Sequence, residues 1–196
     1  MKVIGILLAA GRGRRMGGNK QFHSVQTPTG EKPLVAAAFD TIASVCDQMF
    51  VVLGHRAEEV AAALGGRKFE IVTVDPDVPM LNSIQNGLRA ALTPSRTATR
   101  SGNQHSVLLQ LGDHPAIEES TLEKLFAMAA ENPNKAVMPT YEDHGGHPVL
   151  IPSAIAEKIL ATPCPDGLRQ FWLDHADLCV RFEVDDPGVT RDIDNL

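Results

Sequence analysis

"LLAAGRGRRMGGNK", residues 7–20, runs from an apolar segment into a loop with four glycines, Arg12, Arg14, Arg15 and Lys20. Glycine lacks a Cβ, so such a loop lets the backbone approach a ligand closely. Backbone N–H groups in a turn, joined by guanidinium and ammonium groups, make a concavity suited to phosphate. A buried strand feeding such a loop is the opening of an α/β nucleotide-binding unit. Two familiar glycine patterns do not apply. Gly11, Gly13 and Gly17 are spaced Gly-x-Gly-x-x-x-Gly, not Gly-x-Gly-x-x-Gly, and Asn19 with Lys20 one place late breaks the P-loop pattern. A plainer reading is a glycine-rich turn with solvated arginines.

The 196 residues suit one domain with a substantial core, and a hydrophobic fraction of 43% is ordinary for a globular protein. No apolar run reaches the roughly 18–20 residues of a membrane span, and the first strand begins without a basic leader, so a cytoplasmic location is expected. Cys46, Cys164 and Cys179 are widely spaced and predict reduced thiols rather than a disulfide framework or zinc cluster. A net charge of -6 argues against generic nucleic-acid binding and makes the cationic loop a local exception.

Working outward from the loop, strands are expected over 2–9, 48–53, 69–74 and 107–111, with helices over 33–45, 57–64 and 118–131. Asn82 or Ser83 is expected to cap a helix running to Leu92, with a polar loop over 93–104. This alternation predicts a mostly parallel sheet with helices on both faces. After residue 135 the rhythm changes. A short strand pair, 136–138 and 148–151, precedes helices over 154–160 and 168–175 and a strand over 178–184. The chain reads as one domain over 1–196, with a nucleotide-binding part to about 134 and an acceptor-side part over 135–196.

Ligands of open parallel sheets bind beyond the carboxyl ends of the strands. Asp113, after the strand 107–111, belongs on that rim, and Asp192 and Asp194 are placed to return to it from the acidic tail. Such oxygen ligands suit Mg²⁺, which takes one or two carboxylates and fills its shell with water and phosphate. The competing reading makes Asp113 a helix cap and the tail a solvated end.

"LLAAGRGRRMGGNK", "VVLGHRAEEV", "NSIQNGLRAAL", "LLQLGDHP", "GGHPVLI" and "VDDPGVTRDIDN", in this order, resemble the MobA-like nucleotidyltransferase family, especially its molybdenum-cofactor cytidylyltransferase branch. The resemblance implies a Rossmann-like nucleotidyltransferase fold similar to the glycosyltransferase A type. It also implies Mg²⁺-dependent transfer of a nucleotidyl group, here CMP from CTP, to the terminal phosphate of a molybdopterin-type cofactor, with pyrophosphate released and a molybdoenzyme as client. Under it, Leu8, Ala9, Ala10, Gly11, Gly13 and Ser83 lie along the nucleotide. Arg15 and Lys20 hold the triphosphate, Asp113 and Asp194 hold Mg²⁺ with Asp192 as the alternative ligand, and His147 shapes the acceptor pocket. Arg15, Lys20 and Asp113 are thereby the catalytic candidates. The guanylyl branch tends to carry a second glycine where Ala10 stands, which turns the reading toward CTP.

The sequence departs from the family after Lys20, where "QFHSVQTPTGEKPLV" is longer and more polar than the usual leucine-proline stretch. Another phosphorylated acceptor such as a sugar phosphate, or a non-catalytic nucleotide- or cofactor-binding accessory protein, are the alternatives. His55, His114 and His147 lie in three distant segments without zinc-ligand spacing. Phe171 and Trp172 read as core rather than stacking platform.

Overall fold

Side-chain alternation along β1 (Lys2–Ala9) sets the layering, because successive residues of a strand point to opposite faces. Ile4, Ile6 and Leu8 join a buried cluster with Ile84 and Leu88 of α3 (Met80–Leu92) and Ile155 and Ile159 of α5 (Ser153–Ala161). Val3, Leu7 and Ala9 join the opposite cluster. There they meet Val35, Phe39 and Ile42 of α1 (Leu34–Ala43), Val60 of α2 (Ala57–Ala63) and Leu125 of α4 (Glu119–Glu131). The fold is therefore α/β, with helices on both faces of one sheet, as the alternating pattern predicts. This computed structural model describes residues 1–12, 20–93 and 105–193.

Among the described residues the main sheet has eight strands. Across it run β10 (Cys179–Glu183), β7 (Ala136–Tyr141), β9 (Val149–Pro152), β6 (His105–Leu111), β1, β4 (Gln48–Leu53) and β5 (Glu70–Thr73), with β8 (His144–Gly145) beside β7. Strands β6, β1, β4 and β5 are mutually parallel, as are β7 and β10, while β9 runs antiparallel between β6 and β7. From β1 the chain winds outward to β4 and β5, then returns across to β6 on the other side of β1. That reversal leaves a crevice beyond the carboxyl ends of β1 and β6, where open α/β sheets bind ligands. The strands after residue 135 extend this same sheet, and β9 pairs mainly with β6.

One local expectation changes, and two stretches gain structure that the sequence left open. Helix α3 begins at Met80 with Pro79 at its N-cap, so Asn82 and Ser83 lie inside its first turn and do not cap it. Proline supplies the extended backbone before the helix and fixes its entry. The polar stretch after Lys20 forms a hairpin, β2 (Ser24–Thr27) and β3 (Gly30–Pro33), turning through Gly30 at φ +108°. Only glycine adopts that backbone without strain. The tail is also not a solvated acidic end. Asp186 is buried and accepts hydrogen bonds from Glu118 N, Thr121 Oγ1 and Gly188 N.

Helix α6 (Leu168–Asp174) buries Phe171 and Trp172 edge to face in the core, as expected. Among the described residues no helix is long and apolar enough to cross a membrane.

Candidate functional site

A cavity of ≈ 400 Å³ occupies the crevice between the carboxyl ends of β1 and β6. Leu8, Ala9, Ala10, Gly11, Lys20, Ser83 and Asp113 all line it, so most of the residues expected at a nucleotide come together. Gln21, Pro76, Val78, Met80, Leu111 and Gly112 complete the wall and were not anticipated. Gly13, Arg15 and Asp194 lie outside the described residues.

The cavity floor depends on close backbone approach. Gly112 N–H donates to Leu8 C=O at 2.9 Å, and a Cβ on Gly112 would stand 2.9 Å from that same oxygen. The missing side chain lets the end of β6 press against β1 and carries Asp113 to the rim. On the other side of β1, His55 N–H donates to Ala10 C=O at 3.3 Å. His55 thus serves the turn before α2, whose N-cap is Arg56. The Gln21 amide nitrogen donates to Ala9 C=O at 2.8 Å and Gly11 C=O at 3.2 Å, tying the strand end to the Lys20 turn. Ser83 and Met80 bring the first turn of α3 to the wall, and the positive end of a helix dipole there favours an anion.

Charge concentrates at Lys20. Its buried ammonium lies 2.8 Å from Asp113 Oδ2 and 3.8 Å from Asp192 Oδ2. Asp113 does not cap the next helix, since α4 begins at Glu119 with Glu118 at its N-cap. The tail delivers Asp192 in three steps. Asp186 fixes its start, Val189 C=O accepts from His147 N at 2.8 Å, and Ile193 N–H donates to Asp113 C=O at 3.2 Å. Asp192 thereby faces the same ammonium as Asp113. Two carboxylates converging on one cation at the edge of this cavity form a hard-oxygen donor set of the kind that Mg²⁺ takes. Among the described residues no group of three or more His, Cys, Asp and Glu residues could hold a metal alone, so water and phosphate would complete the shell.

Arg12 forks onto Asp77, with Nε to Oδ1 at 2.8 Å and the second contact at 2.5 Å. The pair bridges the loop after β1 to the loop before α3 at the cavity mouth, beside Gly11 and Pro76.

His114 and His147 pack edge to face with ring centroids 5.8 Å apart, behind Asp113. His147 Nδ1 lies 3.3 Å from Leu109 O, and the residue does not line the cavity. Burial, then the neighbouring His114, pushes the His147 ring down to about 4. Burial likewise lowers His114 against the opposing pull of Asp113 and Asp192. Both rings are therefore neutral near pH 7, and His147 offers shape and a backbone donor rather than a charge. His55 stands apart from them on the other side of β1, so no three-histidine zinc site forms.

Comparison with known proteins bears on the family and the fold. Residues 5–178 match the MobA-like NTP transferase domain family. A bifunctional protein GlmU from Listeria monocytogenes is 33% identical over 164 residues, covering 81% of this chain and 33% of that protein. The chain thus spans about a third of the length of the curated relatives it matches. Rv0371C from Mycobacterium tuberculosis, solved with manganese, superposes with a TM-score of 0.68 at 22% identity over 94% of this chain and 89% of its own. Molybdopterin-guanine dinucleotide biosynthesis protein A from Archaeoglobus fulgidus superposes with a TM-score of 0.59 at 19% identity over 93% and 84%.

Proposed function

The chain belongs to the MobA-like NTP transferase domain family, and on that basis we propose that it moves CMP from CTP to the terminal phosphate of a molybdopterin-type cofactor, releasing pyrophosphate. The observation that carries this reading is the Lys20 ammonium between Asp113 and Asp192, on the rim of a cavity floored by Leu8 to Gly11.

In this reading an oxygen of the acceptor phosphate attacks the α-phosphorus of CTP in line. The bond from that phosphorus to the α,β-bridging oxygen breaks, and the electron pair leaves with pyrophosphate. A terminal phosphate is already an anionic nucleophile, so the chain needs no general base. Positioning and relief of negative charge carry the rate. Leu8, Ala9, Ala10 and Gly11 hold the nucleoside against the end of β1. Lys20 and Arg15 hold the triphosphate and favour departure of pyrophosphate, and Gly13 is a further nucleotide-binding residue. Asp113 is the primary ligand for Mg²⁺. Its partner is a tail carboxylate, Asp194 or Asp192, and among the described residues Asp192 is the one that faces Lys20. Bound there, Mg²⁺ supplies neutralisation of the phosphate oxygens. His147, neutral and fixed behind Asp113, shapes the acceptor side through its main chain.

Ala10 supports CTP over GTP. It is buried and lines the cavity, so its methyl takes up space that a purine base would need. The similarity to the molybdopterin-guanine dinucleotide protein supports the acceptor class. The test is a screen of CTP, GTP, ATP and UTP for Mg²⁺-dependent pyrophosphate release with molybdopterin-type cofactor or a sugar phosphate as acceptor. Release with CTP and the cofactor is expected. Release only with a sugar phosphate would reassign the acceptor, and nucleotide binding without release would make the protein an accessory binder.

A further inference from the structure

We infer that Ile193 is a positioning residue: seated where β2 meets α1, it fixes the tail so that Asp192 reaches the Lys20–Asp113 pair. The inference rests on the reading of Asp192 as a metal-side carboxylate.

Val25 of β2 and Leu34 and Ala37 of α1 form a small buried cluster separate from the two main ones, and Ile193 is the partly buried residue packed against it. Strand β2 of the hairpin and helix α1 together therefore build a seat for the tail. Ile193 is held a second time through its main chain, whose N–H donates to Asp113 C=O at 3.2 Å. An apolar side chain in one pocket and a backbone hydrogen bond in another fix both the position and the twist of a single residue. Its neighbour Asp192 then has little freedom, and its carboxylate lies 3.8 Å from Lys20 Nζ. Upstream, Arg191 N–H donates to Pro187 C=O at 3.0 Å, so the approach to Ile193 is also held.

The chemistry gives this seat a consequence. A carboxylate that must share a cation with Asp113 is useful only when placed to within a fraction of an ångström, and misplacement of about 1 Å costs up to roughly 100-fold in rate. Truncating Ile193 leaves the Asp192 carboxylate in the sequence but releases it in space. The loss should therefore appear in metal affinity and turnover, not in recognition of the nucleoside.

The experiment uses the full chain with Ile193→Ala, Ile193→Val, Val25→Ala and the double variant Ile193→Ala/Val25→Ala. Three quantities are measured. They are Mn²⁺ affinity of the protein–CTP complex by electron paramagnetic resonance, cytidine affinity without metal, and hydrogen exchange at residues 190–193. Ile193→Ala should weaken Mn²⁺ binding by about 10-fold or more and speed exchange, with cytidine affinity unchanged and Ile193→Val largely restored. Val25→Ala should have a smaller effect in the same direction and should add little to Ile193→Ala, since both act at one seat. Unchanged Mn²⁺ affinity in a folded Ile193→Ala protein, or full additivity of the two substitutions, would overturn the inference. If the unaltered protein binds no Mn²⁺ with CTP, the nucleotidyl-transfer reading fails instead, and unchanged exchange in Ile193→Ala would then reject the seat independently.

Discussion

Replacing Lys20 by methionine tests the centre of the site through stability before any turnover is measured. Lys20 is buried, with 10% of its side chain exposed, and its ammonium sits between Asp113, whose side chain is 34% exposed, and Asp192. Exposed ion pairs contribute about 0.2–1 kcal/mol, whereas breaking a fully buried one costs about 3–5 kcal/mol. A pair with one buried and one half-exposed partner falls between, at about 1–3 kcal/mol. For a domain of this size that lowers Tm by roughly 2–12 °C. Methionine keeps the length and apolar stem of lysine, so the loss reports the charge. Asp113 and Asp192 then face each other without the ammonium, and a divalent cation takes its place more readily. Thermal unfolding with and without millimolar Mg²⁺ should show a larger metal-induced rise in Tm for Lys20→Met than for the unaltered protein. CTP affinity should fall at the same time while cytidine affinity holds. Equal metal responses in the two proteins would refute the convergence of both carboxylates on one cation site.

Ala10→Gly should reduce the CTP-over-GTP preference in competition binding by no more than about 100-fold, since one methyl group is worth about 1–3 kcal/mol; unchanged preference removes Ala10 from base selection. Asp186→Ala strands the Glu118 and Gly188 N–H groups and the Thr121 hydroxyl, and should cost about 3 kcal/mol or more in urea unfolding; a loss below about 1 kcal/mol contradicts the tail anchor. The His147 ring binds its proton only near pH 4 when folded, but near pH 6.5 when unfolded. Its contribution is therefore fully present above pH 6.5 and is lost as pH falls toward 4, by up to about 3 kcal/mol, with His114 acting in the same direction. A His147→Gln protein should lose part of this slope in denaturant midpoints between pH 7 and 4.5, and an identical slope would exclude the ring as its source.

The strand-and-loop opening was legible because β1 is apolar from Val3 onward and the sequence then runs directly into glycines and basic residues. Alternation of apolar runs with amphipathic helices likewise announced the parallel sheet. Asp113 was legible from its place after a buried strand, which topology turns into a place on the rim. Other features depend on contacts remote in sequence. Gln21 looks like any polar residue after a lysine, and only the fold brings its amide to Ala9 and Gly11. The hairpin was hidden because its strands of four residues carry few apolar side chains, although the Thr-Pro-Thr-Gly turn within it was a usable signal. Helix α3 begins earlier than the Asn82 and Ser83 side chains suggested because proline fixes the entry without a side-chain cap. Acidity concealed Asp186, whose burial is explained only by the three donors that meet it. His114 and His147, 33 residues apart, meet because β9 lies beside β6.

Pyrophosphate release by Asp113→Asn tests the central claim most directly. Asparagine keeps the shape of the side chain, so circular dichroism and Tm should report a folded protein, while the formal charge at the proposed metal position is gone. With CTP, Mg²⁺ and a molybdopterin-type acceptor, the unaltered protein should release pyrophosphate and the Asp113→Asn protein should do so at least about 100-fold more slowly, a loss on the order of 3 kcal/mol. A folded Asp113→Asn protein working at a near-normal rate would contradict catalysis at this rim.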